Sequence, residues 1–206
     1  MIEGMQPSLR SVLPCPACNV PTPEALLAAS GIPPRYAHCT LDTFPAEAEK
    51  QPAVIAVRAW LDAGAASSLL LVGGNGRGKT GLAVSVVHEL CRAGRAVRFI
   101  AVADLLDEVR ATFDASAAVG KERVIARYRT VDVLVLDDLM APSVTEWVRE
   151  AVTVLLEARR SAGLATVITS DQRAPEIRAA YGDRLLSRLH KFTRVEVPGR
   201  DLRDTR

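Results

Sequence analysis

Eight residues constrain this chain more than any others. Gly73-Gly74-Asn75-Gly76-Arg77-Gly78-Lys79-Thr80 satisfies the pattern G-x-x-x-x-G-K-[ST] in full. Glycines let the backbone turn tightly, so that successive N–H groups point inward at a β- and a γ-phosphate. Lys79 adds a point charge between those phosphates, and the Thr80 hydroxyl is placed to ligate Mg²⁺. The neighbours suit the motif. Leu69-Leu70-Leu71-Val72 reads as a buried strand entering the loop. Beyond it, Gly81 to Cys91 carries Leu82, Val86, Val87 and Leu90 at helical spacing, on a helix whose N-terminus faces the anion. A nucleoside-triphosphate site over 73–80 is expected.

The second strong signal is Val131-Asp132-Val133-Leu134-Val135-Leu136-Asp137-Asp138, an apolar strand ending in two carboxylates. Such a strand is the acidic partner of a phosphate loop. Asp137 would hold Mg²⁺, directly or through water, and Asp138 would polarise the attacking water.

The remaining elements alternate. Helices are expected over Pro23–Ser30, Pro52–Ala63, Ala103–Phe113, Lys121–Arg129, Glu146–Ser161 and Tyr181–Lys191, and strands over Ala96–Ala101, Leu164–Ser170 and Thr193–Val197. Alternation of this kind implies a three-layer α/β fold, a parallel sheet covered by helices on both sides. Ligands should then collect at the carboxyl ends of the strands. The loop 73–80, Asp137-Asp138 and the polar tip Thr169-Ser170-Asp171 all sit at such ends.

Length and composition bound the rest. With 206 residues, 49% of them apolar, there is room for one α/β domain over 41–206 and a short Pro-rich appendage over 1–40. The net charge of +2 does not announce a nucleic-acid partner, although all but four of the 26 basic residues are Arg. No stretch approaches the roughly 20 apolar residues of a membrane span, and no signal peptide is legible. A cytoplasmic protein with reduced thiols is expected. Cys15-Pro16-Ala17-Cys18 is half of a zinc knuckle. A structural zinc takes four ligands; His38 and Cys39 are adjacent and Cys91 belongs to the phosphate-loop helix, so plain thiols are expected. Arg123, Arg127 and Arg129 make the helix at 121–129 basic, which reads as a solvated face or as a DNA contact.

These residues resemble a family. The chain is similar to the AAA+ ATPases that load bacterial replicative helicases (the DnaC/DnaI type), with the IstB transposition helper as a sister. The likeness runs from about Ser30 to Arg203. It rests on Ala29 to Tyr36 leading into Leu41-Asp42-Thr43-Phe44, on the Gly-Lys-Thr loop, and on Val133 to Leu139 with Thr145-Glu146-Trp147 behind it. Tyr181-Gly182-Asp183-Arg184-Leu185-Leu186-Ser187-Arg188-Leu189 and Gly199-Arg200-Asp201-Leu202-Arg203 match the family's ending.

The resemblance implies an AAA+ P-loop domain without a full helical lid, binding ATP and Mg²⁺. Arg188 matches the arginine finger that completes a neighbour's site, with Arg184 one turn away as its competitor, and Arg203 matches the sensor-2 arginine. Arg188 lies opposite the apolar face of its helix and is expected to project outward. Where most AAA+ proteins have Glu, this chain has Asp138, as is usual among the loaders. Position 171 normally holds an Asn that donates to phosphate or water. Asp171 cannot donate when ionised, so Thr169 or Ser170 would substitute and hydrolysis would be slow. The implied partners are a replicative helicase, single-stranded DNA bound weakly, and further copies of the chain assembling with ATP. Two alternatives stay open: an IstB-like helper of transposition on double-stranded DNA, and a nucleotide-binding adaptor with little catalysis.

Overall fold

The computed structural model describes residues 21–44, 49–113, 121–140 and 144–202. Five strands form one parallel sheet: β1 (Leu69–Val72), β2 (Val97–Ala101), β3 (Val133–Asp137), β4 (Ala165–Ser170) and β5 (Thr193–Glu196), in the spatial order β2-β3-β4-β1-β5. The helices are α1 (Pro23–Ala29), α2 (Gln51–Asp62), α3 (Lys79–Arg92), α4 (Val102–Arg110), α5 (Lys121–Thr130), α6 (Glu146–Ser161) and α7 (Ala174–Leu189). The three-layer fold expected from the alternation is the one observed. Among the described residues no helix is long and apolar enough to cross a membrane, and no α-helix follows β5.

Strand side chains alternate between two cores, as a period of two requires. Leu69, Leu71, Val133, Val135, Val167 and Val195 face α1, α2 and α3, whereas Leu70, Val72, Leu134, Leu136 and Ile168 face α4 to α7. Burial on both faces explains why β1, β4 and β3 as far as Leu136 are unbroken apolar or Thr/Ser runs. The segment before Leu41 also contributes. Thr22 caps α1, accepting from the Ala25 N–H at 3.2 Å, and Leu26 enters the first core. Beyond α1, the Ser30 carbonyl accepts from the Phe99 N–H at 2.7 Å, so the chain covers the outer edge of β2.

Helix α7 differs from the sequence expectation in two ways. Helix α7 begins at Ala174 rather than Tyr181, because Pro175 and Glu176 start a helix well. It is also broken inside: Gly182 has φ 80° and ψ 173°, a conformation open essentially to glycine alone. A methyl group added there would meet nothing within 4 Å, so the glycine serves the bend and not the packing.

One buried cation holds three elements together at the amino ends of β3 and β4. Arg159 of α6 is fully buried and, among the described residues, has no carboxylate as a hydrogen-bond partner. Its guanidinium donates to the carbonyls of Tyr128 and Val131 at 2.8 Å each and of Ala165 at 2.6 Å, and to Thr166 Oγ1 at 3.0 Å. Burial pushes its pKa down to about 10, so the group stays charged at neutral pH.

Candidate active site

The phosphate loop leaves β1 with the Gly73 N–H donating to the Ser170 carbonyl at 3.2 Å. Helix α3 then starts on Gly78, which supplies no capping side chain, and its first turn holds no acidic residue. The N-terminal donors of α3 are therefore available to an anion. Lys79 Nζ donates to the Gly74 carbonyl at 2.9 Å and so lies folded along its own loop. Burial lowers its pKa, while Asp171, Asp138 and Asp137 oppose that shift. The chain beyond β5 crosses the outside of the loop. There the Leu202 N–H donates to the Gly76 carbonyl at 2.8 Å, and a Cβ on Gly76 would overlap the Asp201 carboxylate. Gly76 also has φ 69°, a conformation that favours glycine, whereas the Asp201 side chain could move aside.

Asp137 ends β3 beside the loop, 9% exposed. Thr80 Oγ1 donates toward both its carboxylate oxygens at 3.1 Å, and Thr169 Oγ1 donates to Oδ1 at 2.7 Å. Burial raises the Asp137 pKa; the two hydroxyls, Lys79 and Arg35 pull it back. A hydroxyl and a carboxylate in contact form the hard oxygen pair that Mg²⁺ takes from a protein when phosphates supply the rest. Thr80 and Asp137 fit that ion. Among the described residues no group of three or more His, Cys, Asp or Glu side chains could hold a metal by itself. Cys15 and Cys18 lie outside the described residues.

Asp138 follows in the left-handed region, with φ 53°, and its N–H donates to Thr169 Oγ1 at 2.9 Å. Burial and the like charges of Asp171 and Asp137 raise its pKa, against Lys79. The polar tip of β4 divides its work. Thr169 is engaged by the carboxylate pair, and Ser170 Oγ accepts from the Gln172 N–H at 3.1 Å. Asp171 Oδ1 is buried without a hydrogen-bond partner among the described residues. Both hydroxyls therefore have partners within the chain.

The arginines are placed less simply. Arg188 does not project freely: its side chain is 18% exposed and Nε donates to Glu157 Oε2 of α6 at 2.6 Å. Its guanidinium also donates to the Arg184 carbonyl. The packing of α7 on α6, invisible to a helical wheel, brings that carboxylate within reach. The Arg184 side chain is exposed and makes no ion pair among the described residues. Arg203 lies outside them. On α5, Val124 and Tyr128 are buried while Arg123, Arg127 and Arg129 stay exposed, and Arg127 pairs with Glu108 at 3.1 Å. The sequence reading assigned no site role to Arg35. It shares with Arg98, Arg127 and Asp137 the wall of a cleft of about 320 Å³ between the chain after α1 and the carboxyl end of β2.

Comparison with known proteins agrees with this geometry. The chain is similar to the replicative helicase loader DnaC of Escherichia coli (strain K12), 26% identical over 163 residues, covering 78% of this chain and 66% of that protein. The chain therefore spans about two thirds of the length of that relative. Among solved structures it is similar to the DnaC helicase loader, with a TM-score of 0.72 at 22% identity, covering 81% of this chain and 100% of the other. DnaI gives a TM-score of 0.68 at 20% identity, covering 83% and 94%. Both share the AAA+ P-loop fold. A family model described as IstB-like ATP binding protein matches residues 40–204. With that match over most of its length, the chain belongs to the IstB-like ATP-binding protein family.

Proposed function

We propose that this protein is a slow, Mg²⁺-dependent ATPase acting as a replicative-helicase loader or primosome component on single-stranded DNA. The observation that carries the catalytic part is the contact of Thr80 and Thr169 with Asp137 beside Lys79. The N–H groups of residues 74–80 would bind the β- and γ-phosphates, and Lys79 would leave the Gly74 carbonyl to reach them. Thr80 and Asp137 would hold Mg²⁺, which when bound neutralises charge on the phosphates. Asp138, next along the chain, would orient and polarise the water that attacks the γ-phosphorus. A neighbouring subunit would supply Arg188, or the exposed Arg184, to the charge that develops in transfer, and Arg203 would act from the tail. Slow turnover follows from Asp171, a carboxylate near Lys79 and Asp138 where a donor would help.

The loader role rests on the resemblance to helicase loaders over most of the chain. The family match over 40–204 favours a second reading, a helper of transposition on double-stranded DNA. Capture of the host's replicative helicase by the ATP-bound protein, and not of a transposase, is expected. The reverse outcome selects the second reading. A steady-state ATPase assay with and without DNA addresses the adaptor alternative, in which no turnover is seen. Single-stranded DNA binding through Arg123, Arg127 and Arg129 should be weak and salt-dependent, with a log–log slope of about −0.7 for each phosphate neutralised. A flat salt response, or full affinity in the triple Ala variant, removes α5 from the DNA face.

A further inference from the structure

Between the acidic turn and the arginine-bearing end of α7 runs a short chain of hydrogen bonds. Thr169 holds the turn from one side: its hydroxyl accepts from the Asp138 N–H at 2.9 Å, and its carbonyl accepts from the Leu139 N–H at 2.9 Å. Tyr181 holds it from the other, its buried hydroxyl donating to the Leu139 carbonyl. Asp138 is thus one residue from an atom gripped by α7. The residue after Tyr181 is Gly182, where α7 breaks. Beyond the break the helix carries Arg184 and Arg188, and across it Arg178 Nε and Asp183 Oδ1 form an exposed ion pair at 2.8 Å.

We propose that Tyr181 is a positioning residue: it ties the arginine-bearing end of α7 to the Asp137-Asp138 turn, with Gly182 as the hinge between them. Asp138 has a positive φ that a non-glycine residue keeps only while its surroundings hold it. Its neighbours are Asp137, Asp171 and Lys79, so arrival of a charged phosphate and a cation changes the forces on that turn more than on any rigid strand. A shift of the Leu139 peptide is passed to Tyr181 through a bond inside the core. Residues 183–189 can answer as a unit through small shifts that keep Leu185, Leu186 and Leu189 in the second core, because Gly182 at the joint has the conformational freedom to turn. Rotation of that unit changes what Arg188 and Arg184 face. The inference rests on the ATP-binding reading above and adds a route from a subunit's own site to the arginines it would offer its neighbour.

Hydrogen exchange on the full chain tests it, with a non-hydrolysable ATP analogue and Mg²⁺ as the probe and nucleotide affinity measured on the same samples. In the wild type, exchange over residues 183–191 should change by at least about threefold when the analogue binds, well beyond the scatter of repeat measurements. Tyr181→Phe removes only the hydroxyl. Its affinity should stay within twofold of wild type while the nucleotide-dependent change at 183–191 is lost. A purely structural role would instead raise exchange in both states and leave their difference intact. Gly182→Ala, whose methyl has open space, perturbs the hinge without touching the hydroxyl, and the same loss is expected. A full response in both variants, or no response in a wild type that binds the analogue, overturns the proposal. Failure of the wild type to bind the analogue overturns the ATP-binding reading itself, and the two failures are told apart by the affinity measurement.

Discussion

Arg188 Nε and Glu157 Oε2 lie 2.6 Å apart, so the arginine that matches a trans-acting finger is held within its own subunit. Arg160 donates to the other oxygen of the same carboxylate at 2.7 Å, and the two guanidinium groups hold the Glu157 carboxyl below its usual range. The pair is partly sheltered, with Arg188 18% and Glu157 32% exposed, but it joins only two unit charges at the edge of the fold. A neighbour's triphosphate, with more charge and less competition from water, would outbid it. Glu157→Gln should therefore raise ATPase activity per subunit and lower the protein concentration at which it climbs. Arg188→Ala should keep ATP affinity and lose the climb, since a finger contributes on the order of 10³–10⁵ in rate where measured in other systems. Mixing Arg188→Ala with Lys79→Ala subunits should recover activity that neither has alone. If no mixing ratio does so, Arg184 is the arginine to test.

Lys79→Ala removes the ammonium that lies folded along the loop. Affinity for a labelled ATP analogue should fall at least about tenfold, or roughly 1.4 kcal/mol. Asp137→Asn should spare binding without Mg²⁺ but abolish the extra affinity that Mg²⁺ confers, because half of the Thr80–Asp137 oxygen pair loses its charge. Titrations with and without chelator measure both. Unchanged affinity in Lys79→Ala would remove residues 73–80 from the site.

Asp171→Asn should speed turnover. The neutral amide donates a hydrogen bond where a carboxylate repels phosphate, and it relieves the like charge on Asp138. Asp138→Asn should do the opposite, leaving ATP bound and uncleaved. Single-turnover assays separate these effects from product release. A fall in turnover for Asp171→Asn would give that carboxylate a role of its own.

The sequence made the frame of the site legible, because glycine spacing and an apolar run ending in acids are local patterns. Thr80 and Asp137 meet through the parallel register of β1, β4 and β3, and alternation already implied that sheet. What escaped were groups whose partners come from another element. Glu157 and Arg188 sit on different helices, and each alone looks like a solvated charge. Tyr181 reads as the first residue of a helix and is instead the last before its break, since the bend depends on a glycine dihedral that no periodicity records. Arg159 is the extreme case. Beside Arg160, near the end of an amphipathic helix, it has the sequence signature of an exposed residue and the burial of a core leucine.

Arg159 should contribute to stability and not to nucleotide binding. Its guanidinium satisfies backbone carbonyls from α5, the turn before β3, and β4, and it bonds Thr166 Oγ1 as well. Arg159→Met keeps much of the volume but leaves those acceptors facing a thioether in the dry interior. Stability should fall by about 2–4 kcal/mol, the range for buried acceptors stripped of a charged donor. Arg159→Lys should rescue little, because a single ammonium cannot span acceptors arranged for a planar fork. Urea denaturation measures the loss, with an unchanged slope showing that the fold is otherwise kept. The site lies at the carboxyl ends of the strands and Arg159 at the amino ends of β3 and β4, so ATP affinity of the folded fraction should not move. A loss below about 1 kcal/mol, the mean worth of one ordinary hydrogen bond, would show that these carbonyls find other partners. A parallel loss of ATP affinity would show instead that the two ends of the sheet are coupled.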